Sequence, residues 1–433
     1  IAARLERAQD AAAERRLWLL RVAGKVGEGM DAPVFAVGGF VRDLLLGRTP
    51  PDLDLCVEGD GVAFARRLAE EAGGTLVVHP DFGTASLEGA GGRAGGPSVR
   101  IDVASARREQ YERPGALPTV SPAGIEADLG RRDFSVNAMA ISLLPGSFGK
   151  LLDPFGGQRD LGRRRLSPLH PLSFVEDPTR IWRAARYASR LGFALDPSGA
   201  RALRLALVHG PYPALSGQRL WAEVELLGAE ETGWTAFERL LRWRALTIWD
   251  RGYQQTKRTA VAIKRARGFL AWSRVHGVTL DPAELAAVAL LADQRAQVTM
   301  RCLARLGMSG DRLSRLRRAA GARELARRLD RLEGARPSRV ADLLEREPAL
   351  VLAGAWLVAG PAARRRIEWF LRQGRAVRPG LSGDEVLALG VPPGPAVGRC
   401  LGLLRRLRLD GRLTTVAQER EFVKQWTRKG GVS

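Results

Sequence analysis

Strand-like patterning ends near residue 160, and beyond it apolar residues recur at helical spacing. Before that point, Val34–Val37, Leu53–Val57, Thr75–His79, Thr84–Glu88 and Val99–Ala104 read as strands. Phe40–Leu46 and Gly61–Ala72 read as helices, closed by Gly47 and by Gly73-Gly74. The glycine-rich stretch Gly89–Gly96 reads as a hairpin loop. After it, Arg180–Leu191, Ser198–Val208, Leu220–Leu227, Trp234–Trp249, Leu285–Leu306, Asp311–Ala319, Arg339–Val358, Ala362–Gln373 and the basic Arg399–Leu407 carry helical periodicity. No repeat of solenoid length interrupts this. The expected fold is α+β: a small mixed-sheet head followed by a long all-helical body. The boundaries we expect are an N-terminal helix or linker at 1–30, a head at 31–150, a helical neck at 151–250 and a helical body and tail at 251–433.

Charge divides along the same line. The 433 residues carry a net charge of +21, with 68 Lys+Arg against 47 Asp+Glu. Residues 1–150 hold 18 basic and 20 acidic side chains, and the remaining 50 and 27 fall after them. A genome rich in arginine codons would account for 62 Arg to 6 Lys, but not for this partition. A basic surplus confined to the body suits a polyanionic partner, with nucleic acid the best fit.

Several classes are excluded. Cys56, Cys302 and Cys400 lie far apart, so neither a zinc site nor a disulfide framework is expected, and a reducing cytoplasm fits. No apolar run is long enough for a membrane helix, and no signal peptide is visible. The four histidines, His79, His170, His209 and His276, form no His-Asp pair and support no Ser-His-Asp or Cys-His scheme. The chain starts at Ile1, and its opening amphipathic stretch 6–30 could continue from an upstream segment. Oligomeric state is not legible.

The first chemical constellation is Gly38-Gly39-Phe40-Val41-Arg42-Asp43 followed by Asp52-Leu53-Asp54. Paired glycines between strand and helix let a ligand approach the backbone, the helix start offers free N–H groups, and Arg42 can reach the same anion. Asp52 and Asp54, two residues apart on a strand, project to one face, where hard oxygen ligands suit Mg²⁺ or Mn²⁺. Asp102 on a later strand is a third candidate, and carboxylates of this kind serve nucleotidyl transfer. Alone, Gly-Gly is a turn and Asp-x-Asp a solvated face; together they are far more specific. A second constellation, Arg131, Arg132, Asp133 and Asn137, could hold a triphosphate and a ribose, and reads equally as a helix N-terminus with solvated arginines. In the third, Asp177 precedes Pro178, and Arg180, Arg183 and Arg186 recur along the following helix. Asp177 and Arg180 are spaced to project together, although a capping aspartate with a solvated arginine stripe would look the same.

The stretches GGFVRDLLLGRTPPDLD (38–54), RRDFSVNAMAI (131–141), DPFGG (153–157) and EDPTRIWRAARYASRLGF (176–193) occur in order. The chain thereby resembles the class II tRNA nucleotidyltransferase and poly(A) polymerase family, over about residues 34–200. Residues 101–120 look most like the bacterial A-adding branch. The resemblance implies that Asp52 and Asp54 hold catalytic metal ions, with Asp102 the third carboxylate. It implies that Gly38, Gly39 and Arg42 contact the nucleotide, supported by Asp43, and that Arg131, Arg132, Asp133 and Asn137 hold triphosphate and ribose. Residues 105–120 would be a flexible loop used in adding the terminal A. Ser135 and Val136 stand where Thr-Ile is common.

The resemblance also implies that Asp177 and Arg180 select ATP and CTP. A carboxylate accepts from the exocyclic amino group of adenine or cytosine, and a guanidinium donates to the neighbouring ring nitrogen. Uracil and guanine reverse both bonds and are rejected. Arg183 and Arg186 would support phosphates or the base stack. The expected activity is transfer of AMP, with CMP left open, to tRNA 3′ ends. A poly(A) polymerase and a catalytically silent RNA-binding protein are the rivals. Arg163–Arg165, Lys264–Arg267, Arg312–Arg318, Arg327–Arg331, Arg364–Arg366 and Arg405–Arg408 would meet the RNA backbone, and Gly394–Gly398 reads either as a further phosphate site or as a loop.

Overall fold

A computed structural model describes residues 11–428 except 49, 51, 81–82, 91–98 and 333. Most of the expected hairpin loop at 89–96 therefore lies outside the described residues. The chain forms two compact units, residues 1–223 with 242–251, and residues 224–241 with 252–433.

The first unit opens on helix α1 (Ala11–Gly29) and is built on a seven-stranded mixed sheet. Its strands are β1 (Val34–Val37), β2 (Leu53–Val57), β3 (Thr75–His79), β4 (Thr84–Ala90), β5 (Val99–Ser105), β8 (Ala140–Ser142) and β9 (Leu151–Leu152), in the order β3-β4-β5-β2-β1-β8-β9. Only β2 and β5 run parallel; the other pairs are antiparallel. Helices α2 (Gly39–Leu45) and α3 (Gly61–Ala72) follow β1 and β2. α3 starts where Asp60 accepts from the N–H groups of Val62 and Ala63, and stops at Gly73. It packs on β4, β5 and α1.

A second apolar cluster joins Phe35, Val37 and Cys56 of the sheet to Ile125 and Leu129 of α4 (Ile125–Gly130). Cys56 is two residues from Asp54, so Asp54 borders this cluster on the same face of β2. The unit continues through α5 (Gly157–Gly162), α6 (Ser173–Glu176) and α7 (Thr179–Leu191), whose Trp182 stacks on Trp249 at 5.2 Å. Residues 105–120, expected as a flexible loop, carry most of a two-stranded hairpin, β6 (Arg107–Gln110) and β7 (Thr119–Pro122). Strands do not vanish entirely after residue 160: Arg165–Leu166 pairs with Ala194–Leu195.

The second unit is helical. Pro282–Leu291 is buried along its length and packs on Lys257–Val275, Gly310–Ala320 and Ala349–Val358. Three expected helices are broken. Trp234–Trp249 ends as an α-helix at Arg242, because Arg244 adopts a left-handed conformation, φ 58°. Leu285–Leu306 divides into helices ending at Leu291 and restarting at Ala296; between them Asp293 is held by Thr256 and Arg323. Arg339–Val358 divides at Pro348, which caps Ala349–Val358. The basic helix expected at Arg399–Leu407 starts at Pro395, so Gly394 is its N-cap and not part of a separate loop, and an unanticipated helix, Val416–Arg428, follows it. Helix Lys257–Val275 was not anticipated. All three cysteines are free and buried. Among the described residues, no helix is long and apolar enough to cross a membrane.

Candidate active site

A cleft of about 500 Å³ opens in the first unit where β1, β2 and α7 meet. Gly38, between β1 and α2, has φ 67°, and a Cβ there would lie 2.6 Å from Arg132 Nη1. Arg132 could shift its tip, but the positive φ favours glycine whatever the space. A Cβ at Gly39 would sit 3.5 Å from the Arg42 guanidinium, an ordinary contact distance, and Arg42 borders the cleft although it is 2% exposed. α2 is only seven residues long, so the arginines rather than a helix terminus carry the positive charge.

Those arginines are anchored by carboxylates. Arg42 donates through Nε and Nη2 to Asp43, at 2.9 and 2.8 Å, and through Nη1 to Asn137 Oδ1 at 2.7 Å. Asn137 Nδ2 donates to Asp133 Oδ1 at 2.9 Å, and Asp133 Oδ2 accepts from Arg183 Nε at 2.8 Å. Burial opposes the Asp133 charge, but Arg183 and Asn137 outweigh it and hold its pKa below the ordinary value. Arg131 and Arg132 both donate to the fully buried Asp128, and Arg131 also to Glu109. The same contest, burial against the Arg132 and Arg131 charges, holds Asp128 low.

Asp52 and Asp54 line this cleft. Burial, then Asp102, and more weakly Asp52, push the Asp54 pKa up, against Arg132 and Arg42. Asp102 pairs with Asp54 across the parallel β2–β5 register, but its carboxylate accepts from Ser86 at 2.6 Å and from Arg100, and it borders a neighbouring pocket. Among the described residues no three His, Cys, Asp or Glu side chains form a ready cage for a metal. Two oxygen-donor carboxylates whose repulsion is only partly offset fit Mg²⁺, which completes its shell with water and substrate phosphates.

Asp177 and Arg180 both line the cleft, and the Arg180 backbone N–H donates to the Asp177 carbonyl at 3.1 Å. Asp177 Oδ1 accepts from the N–H and hydroxyl of Thr179 and from Arg219 at 2.8 Å. Arg180 donates to Ser173 Oγ and the Arg131 carbonyl. Gly38, Gly39, Arg42, Asp43, Arg131, Arg132, Asp133, Asn137 and Arg183 complete the cleft-lining members of the expected set. Asp102 and Arg186 do not line it; Arg186 faces Glu223 at 3.8 Å. Glu109, Tyr111, Tyr187 and Arg190 line it and were not anticipated. Arg190 extends the arginine stripe that begins at Arg180, and that spacing was the available signal.

Residues 34–167 match the family described as the poly A polymerase head domain. An A-adding tRNA nucleotidyltransferase of Geobacter sulfurreducens is 34% identical over 92% of this chain and 45% of its own, so this chain spans less than half of that relative. The A-adding tRNA nucleotidyltransferase of Halalkalibacterium halodurans is 30% identical over 95% of this chain and 92% of its own. The CC-adding tRNA nucleotidyltransferase of Deinococcus radiodurans is 34% identical over 95% and 93%. The solved structure of the Thermotoga maritima CCA-adding enzyme complexed with tRNA superposes with a TM-score of 0.79 at 26% identity, covering 99% of this chain and 98% of that one.

Proposed function

This chain belongs to the tRNA nucleotidyltransferase family, and from that premise we propose that it transfers AMP from ATP, with CTP as a second candidate donor, to the 3′ end of tRNA and releases pyrophosphate. The observation that carries this reading is a single cleft in which Asp52 and Asp54 lie among Arg42, Arg131, Arg132 and Arg183, beside Asp177 and Arg180. Opposed carboxylates and guanidiniums are what nucleotidyl transfer requires, since its catalysis is mostly positioning and charge stabilisation.

In this reading Arg42, Arg132 and Arg183 bind the triphosphate, while Asp133 and Asn137 hold Arg183 and Arg42 in place through side chains that already bond to each other. Asp177 accepts from the exocyclic amino group of adenine or cytosine, and Arg180 donates to the ring nitrogen. The RNA 3′ hydroxyl attacks the α-phosphorus, the bond to the bridging oxygen breaks, and pyrophosphate leaves without a covalent enzyme intermediate. Asp52 and Asp54 would hold Mg²⁺, or Mn²⁺, with Asp102 beside them. Held there, such an ion would supply acidity to the attacking hydroxyl and charge neutralisation at the leaving oxygen. Residues 31–150 then act as catalytic head, 151–250 as nucleotide-selecting neck and 251–433 as the basic body for the tRNA backbone.

Incubation with ATP or CTP and tRNAs lacking A, CA or CCA, beside an unstructured RNA, tests this. Addition confined to the tRNA ends is expected, and it identifies the nucleotides added. Long A tails on the unstructured RNA would make the protein a poly(A) polymerase. Tight tRNA binding with no incorporation would make it a silent RNA-binding protein.

A further inference from the structure

Four guanidiniums surround one aromatic ring. The Cζ atoms of Arg42, Arg183, Arg186 and Arg190 lie 5.4, 5.6, 5.4 and 5.3 Å from the centroid of Tyr187. A single energetically significant contact of this kind is expected roughly once per 70–80 residues, so four on one ring is a local concentration. Arg42 comes from α2 and the others from α7, so the ring bridges the Gly38-Gly39 turn and the helix that carries Arg180. Tyr187 is itself fixed: it is 8% exposed, meets Phe134 edge-to-face at 6.0 Å, and its hydroxyl accepts from Arg183 at 3.2 Å. Arg42, Arg183 and Arg190 line the cleft with it, whereas Arg186 does not.

Guanidiniums this close repel one another, and something must offset that repulsion. Asp43, Asp133 and Glu223 offset part of it at Arg42, Arg183 and Arg186, each placing a negative charge near an incoming polyphosphate. The negative face of an aromatic ring holds cations without cancelling their charge. We propose that Tyr187 is a positioning residue that gathers Arg42, Arg183 and Arg190 into a polyphosphate clamp, and that Arg190 binds the triphosphate directly. This deepens the nucleotidyl-transfer reading and rests on it. The clamp recognises phosphate rather than base, so substrate triphosphate and product pyrophosphate are both its ligands.

Kinetics of full-length Tyr187→Leu, Tyr187→Phe and Arg190→Ala, with ATP, CTP and pyrophosphate as the probes, test it. For Tyr187→Leu and Arg190→Ala we expect KM for both nucleotides, and the inhibition constant of pyrophosphate, to rise together by roughly tenfold, the order of one or two lost cation contacts. The ATP-to-CTP preference and KM for tRNA should stay within about twofold. Tyr187→Phe keeps the ring and should stay near wild type. An unchanged pyrophosphate constant in Arg190→Ala, a Phe variant as impaired as Leu, or a shift in base preference alone would overturn the proposal. Arg190 is exposed, so its variant remains informative should Tyr187→Leu misfold. Calorimetric pyrophosphate binding to wild type and Arg190→Ala reads the clamp independently of catalysis: a wild type that binds pyrophosphate but adds no nucleotide sinks the enzymatic reading and not the clamp.

Discussion

Replacing Asp133 with alanine separates anchoring from ligand contact. The Asp133 carboxylate is 6% exposed and accepts from the Phe134 N–H, Asn137 Nδ2 and Arg183 Nε at 2.9, 2.9 and 2.8 Å. Asp133→Ala strands all three donors. Arg183 keeps Glu223 at 3.7 Å, its bond to the Tyr187 hydroxyl at 3.2 Å and about a third of its side chain in solvent. Breaking a buried charge pair costs about 3–5 kcal/mol, and the partly solvated Arg183 places this case near 3. Asp133→Asn retains an acceptor for Phe134 and Asn137 and confronts only Arg183 with an amide, so about 2 kcal/mol is expected. Urea unfolding at pH 7 measures both, and hydrogen exchange of the 179–191 amides confines the readout to the first unit. The pH dependence is a second check. The folded pKa of Asp133 is depressed below its ordinary 3.8. Its contribution is therefore complete above about 3.8 and is lost as pH falls through the folded pKa. Wild type and Asp133→Asn should converge in stability below about pH 3.8. A cost under 1 kcal/mol for Asp133→Ala, or a gap that persists into strong acid, would refute the anchoring argument.

Asp52→Ala or Asp54→Ala should abolish nucleotide incorporation while tRNA binding survives; wild-type incorporation in both, measured with labelled ATP, would remove them from the mechanism. Arg180→Ala should lower discrimination against UTP and GTP by at least tenfold, read from kcat/KM ratios, and unchanged ratios would count against base reading by this side chain. Gly38→Ala forces a side chain into φ 67° and to within 2.6 Å of Arg132 Nη1. It should cost about 1–2 kcal/mol in unfolding and raise KM for ATP, and neutrality in both assays would be inconsistent with the tight turn.

Where the chain announces its own boundaries, the fold was legible. Gly61–Ala72 matched to the residue because Asp60 caps it and glycine ends it. The interruption at Ala292–Arg295 carries neither proline nor glycine; it depends on Asp293 meeting Thr256 and Arg323, partners some 30 or more residues away. Arg244 is similar, an ordinary helix former held in a left-handed conformation by its surroundings. The site divides in the same way. Most of the groups that line the cleft lie in short motifs and could be named. Asp43 and Asp133 anchor arginines from within the motifs, but Asp128, Glu109 and Glu223 hold arginines from outside them, and Glu109 and Glu223 meet Arg131 and Arg186 through the fold rather than through a neighbouring stretch of chain.

The arginine bias therefore means different things in the two parts of the molecule. Along the body, any cation meets a phosphate backbone about equally well, and codon usage suffices to explain the choice. Within the cleft the two basic residues are not interchangeable. Arg42 bonds to Asp43 through two nitrogens and to Asn137 through a third, and it still borders the cleft. An ammonium is a point charge with three donors on a flexible stem; fully anchored, it would have none left for a ligand, and left free it would have no fixed position. A planar group with five donors does both at once. In the proposed reading the head can consequently be acidic overall and still bind a polyanion, because its carboxylates aim the guanidiniums rather than cover them.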